Sequence, residues 1–516
     1  MFRVFRSLTR VDLGTMVHEV GDHRGEMHMS RHLVAGLTAL TLTTVAIPAE
    51  AEQASSGFPS SAFPLGVSMA PVKNQQNVAP GITLFSVKHG KSTQGWTVSA
   101  LMPNGHDAGS LVTAQTVAEA VEAAGFTPEI LRVVQPAASD APAVERYMVR
   151  TGLWSFGQRA KADKVVKELK EFDVRAKTDY LGDDGTETTG PWDMRVLMVN
   201  PKVFKGSFKT SVGKSVAKRE STSSMSKLTG AIAGVNGGFF NIHTAKALQG
   251  DPVGVSVVGG RLLSEAVPGR SGLVITQGRK ARITELKTTV TAISSDGTKT
   301  EVNGINRAAG AEELVLYTEE FGGKTAADGG IEVVVDAAQG KVIKVRQAGG
   351  IVARGTYLLH GTGLMAVWLQ EHAQGTWMKV DSKVIDLRTQ QTVPLTPDTY
   401  VMGGGVGLVR NGRVRITAAA DGHASLNMML RRHPRTMVGV DRSGGLILAT
   451  VDGRNPGVSV GASMVEAAQL MRWLGAKQAI NFDGGGSSVM VVGHKAVNRP
   501  SDGAERTVGD GLFITP

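Results

Sequence analysis

Asn481-Phe482-Asp483-Gly484-Gly485-Gly486-Ser487-Ser488 stands between two strand-like runs, 478–482 and 489–492. Two short apolar runs joined through Asp-Gly read as antiparallel β-structure, although a type I′ hairpin needs only two central residues and this connection is longer. Three successive glycines carry no Cβ and tolerate φ > 0, so their N–H groups are free to converge on an anion. A carboxylate, Asp483, sits at the same mouth, with two hydroxyls beyond it. The plainer alternative is a loose glycine hairpin, since Asp-Gly is a common turn pair.

Working outward from this stretch, the chain from about residue 203 to the end consists of short β runs punctuated by glycine. Hairpins are expected at 257–262 and 409–414, the second carrying Asn411-Gly412. One helix is expected over 464–474, with Ser463 as N-cap and Glu466 three residues on, a capping box that makes Glu466 structural. Upstream, two similar halves occupy about 78–202. The first is a strand at 95–98, a helix near 114–124 and a strand at 128–133. The second is a strand at 147–152, a helix at 160–172 and strands at 173–176 and 192–197. In the second helix Val165, Val166, Leu169 and Phe172 share one face, while lysines and Glu171 take the other. The expected fold class is therefore α+β: a β-rich, mixed-sheet catalytic domain with few helices, preceded by a small α+β repeat region.

The front of the chain reads differently. Residues 1–28 lack periodicity and read as an extension ahead of a later start. Residues 29–51 combine a basic start (Arg31, His32), an apolar run from Leu33 to Ile47 and a small-x-small site at Ala49-Glu50-Ala51, the pattern of a signal peptide. Residues 52–77, rich in Ser, Ala, Pro, Gln and Gly, read as a flexible linker. The expectation is a secreted protein, with no transmembrane segment in the mature chain.

Composition narrows the function. With 516 residues, 41% hydrophobic, the chain has ample core for two or three domains. No cysteine is present, which excludes disulfides, thiolate zinc sites and a cysteine nucleophile. The net charge of +10 favours anionic surroundings, and wall phosphopolymers fit an exported protein better than nucleic acid, for which no basic stripe with interleaved aromatics is present.

Four constellations can carry chemistry. They are Asn236-Gly237-Gly238-Phe239-Phe240, Arg432-His433-Pro434-Arg435-Thr436, Asp452-Gly453-Arg454, and the opening stretch. Together they offer two carboxylates at strand ends, an arginine fork and a glycine nest. Arg435 is suited to grip a phosphate bidentately, the Gly484, Gly485 and Gly486 amides to hold its other oxygens, and Asp452 and Asp483 to act as acid, base or nucleophile. The same carboxylates are oxygen ligands for a divalent cation, Ca2+ or Mg2+. Spacing does not choose between these, so no metal ligands are assigned and the need for a divalent cation stays open. Gly323-Lys324-Thr325 lacks the upstream glycine of a P-loop. Gly457-Val458-Ser459-Val460-Gly461 follows a loop where a nucleophile elbow needs a strand.

These constellations, in this order, resemble the phosphodiester glycosidase family, together with Gly250-Asp251-Pro252, Glu466 and Asn498-Arg499-Pro500-Ser501-Asp502-Gly503. The resemblance covers 203–516. It implies hydrolysis of a sugar-1-phosphodiester, N-acetylglucosamine-1-phosphodiester-like, at the glycosidic C–O bond. It further implies that Asp483 stabilises the oxocarbenium-like carbon or activates water, with Asp452 as second carboxylate or metal ligand. Arg435 and the glycines would hold phosphate, and Asn236 and Asn498 would touch sugar hydroxyls or orient the acids. Gly238, Phe239, Asp251, Ser487 and Arg499 complete the implied substrate-binding set. Residues 78–202 resemble SPOR (sporulation-related repeat) modules, which implies peptidoglycan binding. Two other readings remain open at this point: a metal-dependent phosphodiesterase cutting P–O, and a non-catalytic glycan-binding protein.

Overall fold

The computed structural model describes residues 57–244, 248–373 and 377–516. The expected signal peptide and the extension before it lie outside these residues. The chain is β-rich with few helices, as its short, glycine-punctuated runs predict.

An eight-stranded antiparallel sheet organises the molecule. Its order is Val72–Ala79, Ile82–His89, Trp192–Val199, Leu446–Val451, Arg435–Asp441, Ala476–Asn481, Gly407–Arg410 and Arg413–Val414. Both faces are covered, which is why the central strands read as unbroken apolar runs. Along Leu446–Val451 the side chains alternate: Leu446 and Leu448 enter one apolar cluster, Ile447 and Ala449 the other. The first cluster packs against a five-stranded sheet containing Ala233–Asn236 and Gly511–Thr515. The second packs under the helix Met464–Trp473 and an N-terminal α+β module. Burying each Leu or Ile there is worth about 1.5–3 kcal/mol.

The two sequence halves expected at 78–202 do not fold as separate repeats. Their elements interdigitate into one four-stranded sheet, ordered Glu129–Gln135, Val144–Trp154, Trp96–Ala100, Ala176–Tyr180, with the helices Leu111–Ala123 and Arg159–Glu171 on one face. The physical reason is burial: a strand–helix–strand half leaves its sheet with too few strands to stand alone. The run Trp192–Val199 leaves the module altogether and pairs with Leu446–Val451 in the central sheet, so that sheet draws strands from both sides of the boundary expected at 202/203. The stretch expected to be a flexible linker is partly ordered: Phe63 is buried, stacks on His89 at 4.5 Å between ring centres, and lies edge-on to Trp473. An aromatic in a Ser/Pro-rich run overrides the composition.

The rest of the chain forms a two-stranded pair, Glu220–Ser221 with Thr507–Val508, and two larger sheets. One runs from Arg261–Ser264 to Gln391–Val393 and includes the long pair Lys280–Ser294 and Met378–Asp386; the other, from Gly304–Ile305 to Val342–Gln347, is emitted between those two strands.

Candidate active site

The site forms where glycine-rich turns leave the ends of three layers. Asp483 follows the strand Ala476–Asn481, and its backbone is sewn to the strand Ala233–Asn236. Its N–H donates to Gly237 O (3.0 Å), and its carbonyl accepts from Asn236 Nδ2 (2.8 Å). Asn236 is fully buried, and its Oδ1 accepts from Thr436 Oγ1 (2.7 Å) and the Val489 N–H (3.1 Å). Of the two roles expected for this amide, touching sugar or orienting the acids, its contacts fit the second: it clamps three strands together and holds the Asp483 backbone, with its polar atoms satisfied within the protein.

The glycine turn has a different use from the expected anion nest. Gly484 N–H donates to Asp483 Oδ1 (2.9 Å), Gly485 N–H to Pro434 O (2.9 Å), and the Ser487 and Ser488 amides to carbonyls of the same turn. Gly486 N–H is the one amide of the 484–488 turn with no acceptor among the described residues. What the missing side chains provide is room for cations. A Cβ on Gly485, whose φ is +60°, would stand 3.1 Å from the Arg454 guanidinium, and one on Gly486 would stand 2.2 Å from Arg506 Nη2. Arg506 is held by Asp502 at 2.6 Å. Arg454 lies 3.3 Å from His433 Nδ1. Burial, then the Arg435 and Arg454 charges, push His433 down to about 3, so its neutral ring accepts from Arg454 and donates to Asn427 Oδ1.

Arg435 is buried beneath this turn at 1% exposure. Its Nε donates to Ala462 O (2.9 Å) and its Nη2 to Met428 O (2.9 Å) and Arg431 O (3.4 Å). Among the described residues no carboxylate pairs with it. Burial, with Arg454 nearby, lowers its pKa to about 10, still a cation at neutral pH.

The second carboxylate brought to Asp483 is Asp510, which sequence reasoning missed. Its Oδ1 accepts from Gly238 N–H (2.9 Å), and Gly237 is obligatory beside it because a Cβ there would meet the same oxygen at 2.2 Å. Burial raises Asp483 to about 6, against the pull of the Gly484 N–H and the Arg506 and Arg454 guanidiniums, while the nearby Ser487 hydroxyl is buried without a hydrogen-bond partner among the described residues. Burial and the Asp483 charge raise Asp510 to about 7. Two buried carboxyls, both raised toward neutrality, thus lie within electrostatic reach of each other.

Asp452, expected as the partner of Asp483, faces elsewhere. Its carboxylate accepts from Asn498 Nδ2 (3.0 Å) and the Arg499 N–H (3.1 Å), and its charged neighbours are Asp193 and Arg195. Asn498 also bonds Ser488 O and the Met490 N–H, so Asp452 and Asn498 brace the outgoing side of the glycine turn. The Arg499 side chain is exposed. Asp251 is buried with Oδ1 unpartnered; burial and Glu265 raise it to about 8, and it answers to Glu265 and Arg307 rather than to Asp483. Phe239 lines the mouth, tilted over His423 at 4.5 Å, and Gly405 makes room for both rings. His423, lowered to about 4 by burial and by Arg270 and Arg435, was also missed. The signal available for the mouth was Gly403-Gly404-Gly405 after the strand Tyr400–Gly403, the same pattern as Gly484–Gly486.

Glu466 is structural, as its capping box predicts: it caps Ser463 and forks onto Arg432 at 2.8–3.0 Å. Ser459 donates to Asp452 O and is no nucleophile elbow. Among the described residues no three His, Cys, Asp or Glu side chains are grouped to hold a metal ion.

A phosphodiester glycosidase family model matches residues 321–515. The phosphodiester glycosidase match contains Arg435, Arg454, Asp452, Asp483, Arg506 and Asp510, and leaves Asn236–Phe239 and Asp251 outside it. N-acetylglucosamine-1-phosphodiester α-N-acetylglucosaminidase from Mus musculus is 34% identical over 120 residues, 21% of this chain and 22% of that protein. An uncharacterised SPβ prophage-derived protein of Bacillus subtilis is 39% identical over 111 residues, 22% of this chain and 16% of its own length. The chain thus spans less than a quarter of each of these relatives. A solved Burkholderia pseudomallei structure, described as a candidate exported protein, superposes with a TM-score of 0.77 at 27% identity, over 89% of this chain and 99% of that one. A hypothetical Synechocystis protein shares the fold at TM-score 0.53 and 16% identity, over 86% of this chain and 76% of its own. None of these comparisons supports the SPOR resemblance of residues 78–202. Among the described residues no helix is long and apolar enough to cross a membrane.

Proposed function

We propose that this chain is an exported hydrolase that cleaves a sugar-1-phosphodiester at the glycosidic C–O bond, with wall or extracellular glycopolymers carrying such linkages as its substrates. The observation that carries the reading is one turn on which two groups of opposite need meet. Asp483 and Asp510, both raised toward neutrality, lie on one side; the Arg454 and Arg506 guanidiniums lie against Gly485 and Gly486 on the other. A phosphodiester is an anion and a good leaving group, so the protein's effort goes into neutralising its charge more than into protonating it. Arg454 and Arg506, with Arg435 beneath, take that part. Asp483 faces the anomeric carbon, as nucleophile or as base toward water, and Asp510 exchanges the proton with it. The balance is simple: water and the diester give free sugar and a phosphomonoester. Asp452 takes a positioning role through Asn498 and Arg499. The family match and the partial identity to an N-acetylglucosamine-1-phosphodiester α-N-acetylglucosaminidase support N-acetylglucosamine as the first sugar to try. The structural likeness to a candidate exported protein supports export.

The test is turnover of an N-acetylglucosamine-α-1-phosphodiester in 18O-labelled water by the chain from residue 57 onward. Label in the free sugar establishes C–O cleavage. Label in the phosphate makes the chain a phosphodiesterase and removes this reading. Binding without turnover of any sugar-1-phosphodiester leaves a glycan-binding protein.

A further inference from the structure

Arg435 owes its orientation to three carbonyls, and two of them, Met428 O and Arg431 O, belong to a single short segment. That segment is a four-residue helix, Leu426–Met429, followed by a turn, too short to hold itself. It is held by the N-terminal module. Asp179, on the strand Ala176–Tyr180, accepts both arms of Arg431, Nη1 at 2.9 Å and Nη2 at 2.8 Å, the Ser99 hydroxyl fixes the same carboxylate at 2.7 Å, and Asp107 of the same module adds a second carboxylate 2.5 Å from Nη2. The next residue repeats the device. Arg432 donates its N–H to Asp183 O (3.1 Å) and its Nη1 to Gly182 O (3.2 Å) and Thr186 O (2.7 Å). Leu426 and Leu430 pack onto Val133 and Met148, on the face of the module's sheet away from its helices. Asp179 and Arg431 are both buried, so the fork is a planar, bidentate, desolvated contact that fixes direction as well as distance.

We infer that the module spanning 96–186 is a positioning arm of the candidate site, in which Asp179, acting through Arg431, aims the Arg435 guanidinium. The carbonyls of residues 428 and 431 are placed by the Arg431 fork, and they in turn set the plane of Arg435. The role in turnover rests on the phosphate-binding part of the proposed function; the positioning itself does not.

The experiment separates the two. In the full chain, phenylglyoxal modification of individual arginines is followed by peptide mass spectrometry, with exposed Arg413 as internal reference. Arg435 in the wild type is protected. Asp179→Asn in an Asp107→Asn background, and independently Arg431→Lys, which keeps the charge and loses the fork, are expected to raise Arg435 modification at least ten-fold relative to Arg413 while a cooperative melt is retained. In turnover, Asp179→Asn and Arg435→Lys are expected to combine with less than the product of their separate losses in kcat/KM, because they act on one group. Arg435 remaining protected in either folded variant overturns the inference. So does a fully multiplicative cycle, or loss of folding in both variants, which would make the contact a matter of stability alone. A wild type with no turnover sinks the proposed function, while the labelling result still decides this one.

Discussion

At the scale of single residues, Asp483 carries the heaviest expectation. Asp483→Asn keeps the shape and removes the ionisable group, and kcat is expected to fall about 10²–10⁴-fold while a cooperative melt is retained, measured on the phosphodiester substrate. Asp510 gives a pH-dependent signature. Its folded pKa, and that of Asp483, are raised above the unfolded carboxylate value, to about 7 and about 6. A raised group stabilises the fold fully below its unfolded pKa and loses that stabilisation as pH rises through its folded one. The pair therefore lowers stability between about pH 4 and pH 7, with the two protons belonging to the pair and not to either residue. Asp510→Asn is expected to match the wild type near pH 4 and to exceed it at pH 8 by on the order of 2–4 kcal/mol in denaturant unfolding, at the expense of turnover. A variant less stable than wild type at pH 8 would show that the Gly238 N–H contact outweighs desolvation.

At the scale of elements, the helix Met464–Trp473 shows what local rules determine. Its start, its capping box and the structural role of Glu466 were all readable in the sequence, because a cap is a contact between residues three apart. Ser463→Ala is expected to cost about 1 kcal/mol in thermal or denaturant unfolding with KM unchanged. The hairpins expected at 257–262 and 409–414 are present for the same reason. Legibility stopped where partners are distant. Asp483 was found because three glycines advertise its turn, but those glycines admit Arg454 and Arg506 from other loops, and no local pattern says what will fill the space left by an absent Cβ. Asp452 was paired with Asp483 because both end strands; pairing depends on which side of the sheet each strand end opens, and that is set by the register of Leu446–Val451 against Arg435–Asp441. Asp510, in Val508-Gly509-Asp510-Gly511, looks like an ordinary turn residue until its strand lies beside Ala233–Asn236.

At the scale of the whole molecule, the central sheet makes the N-terminal part indispensable. Trp192–Val199 lies between Ile82–His89 and Leu446–Val451, and its Met194, Val196 and Leu197 are fully buried. A fragment beginning at residue 203, where the family resemblance begins, would expose the edge of Leu446–Val451 and both apolar faces next to it. It is expected to be insoluble or to lack a cooperative melt, whereas a fragment from residue 57 melts cooperatively; a soluble, cooperatively melting 203–516 would contradict this.

The central sheet and the sheet holding Lys280–Ser294 share a feature that reaches beyond the site. Ile82–His89 and Trp192–Val199 are direct antiparallel neighbours, as are Lys280–Ser294 and Met378–Asp386, yet each pair is interrupted by an entire subdomain. These are hairpins whose turns have become folded bodies. Closing a turn of roughly a hundred residues as free chain, in place of two, costs about 3 kcal/mol more in loop entropy, and a body that is already compact removes most of that cost by bringing its ends together. Refolding therefore has a built-in order: the module at 96–180 and the sheet at 304–361 condense first, and the flanking strands zip afterwards. Pulse-labelled amides of 82–89 and 280–294 are expected to gain protection later than those of 144–154 and 331–336, so the turn at 484–488 is assembled only after both bodies have closed their own cores.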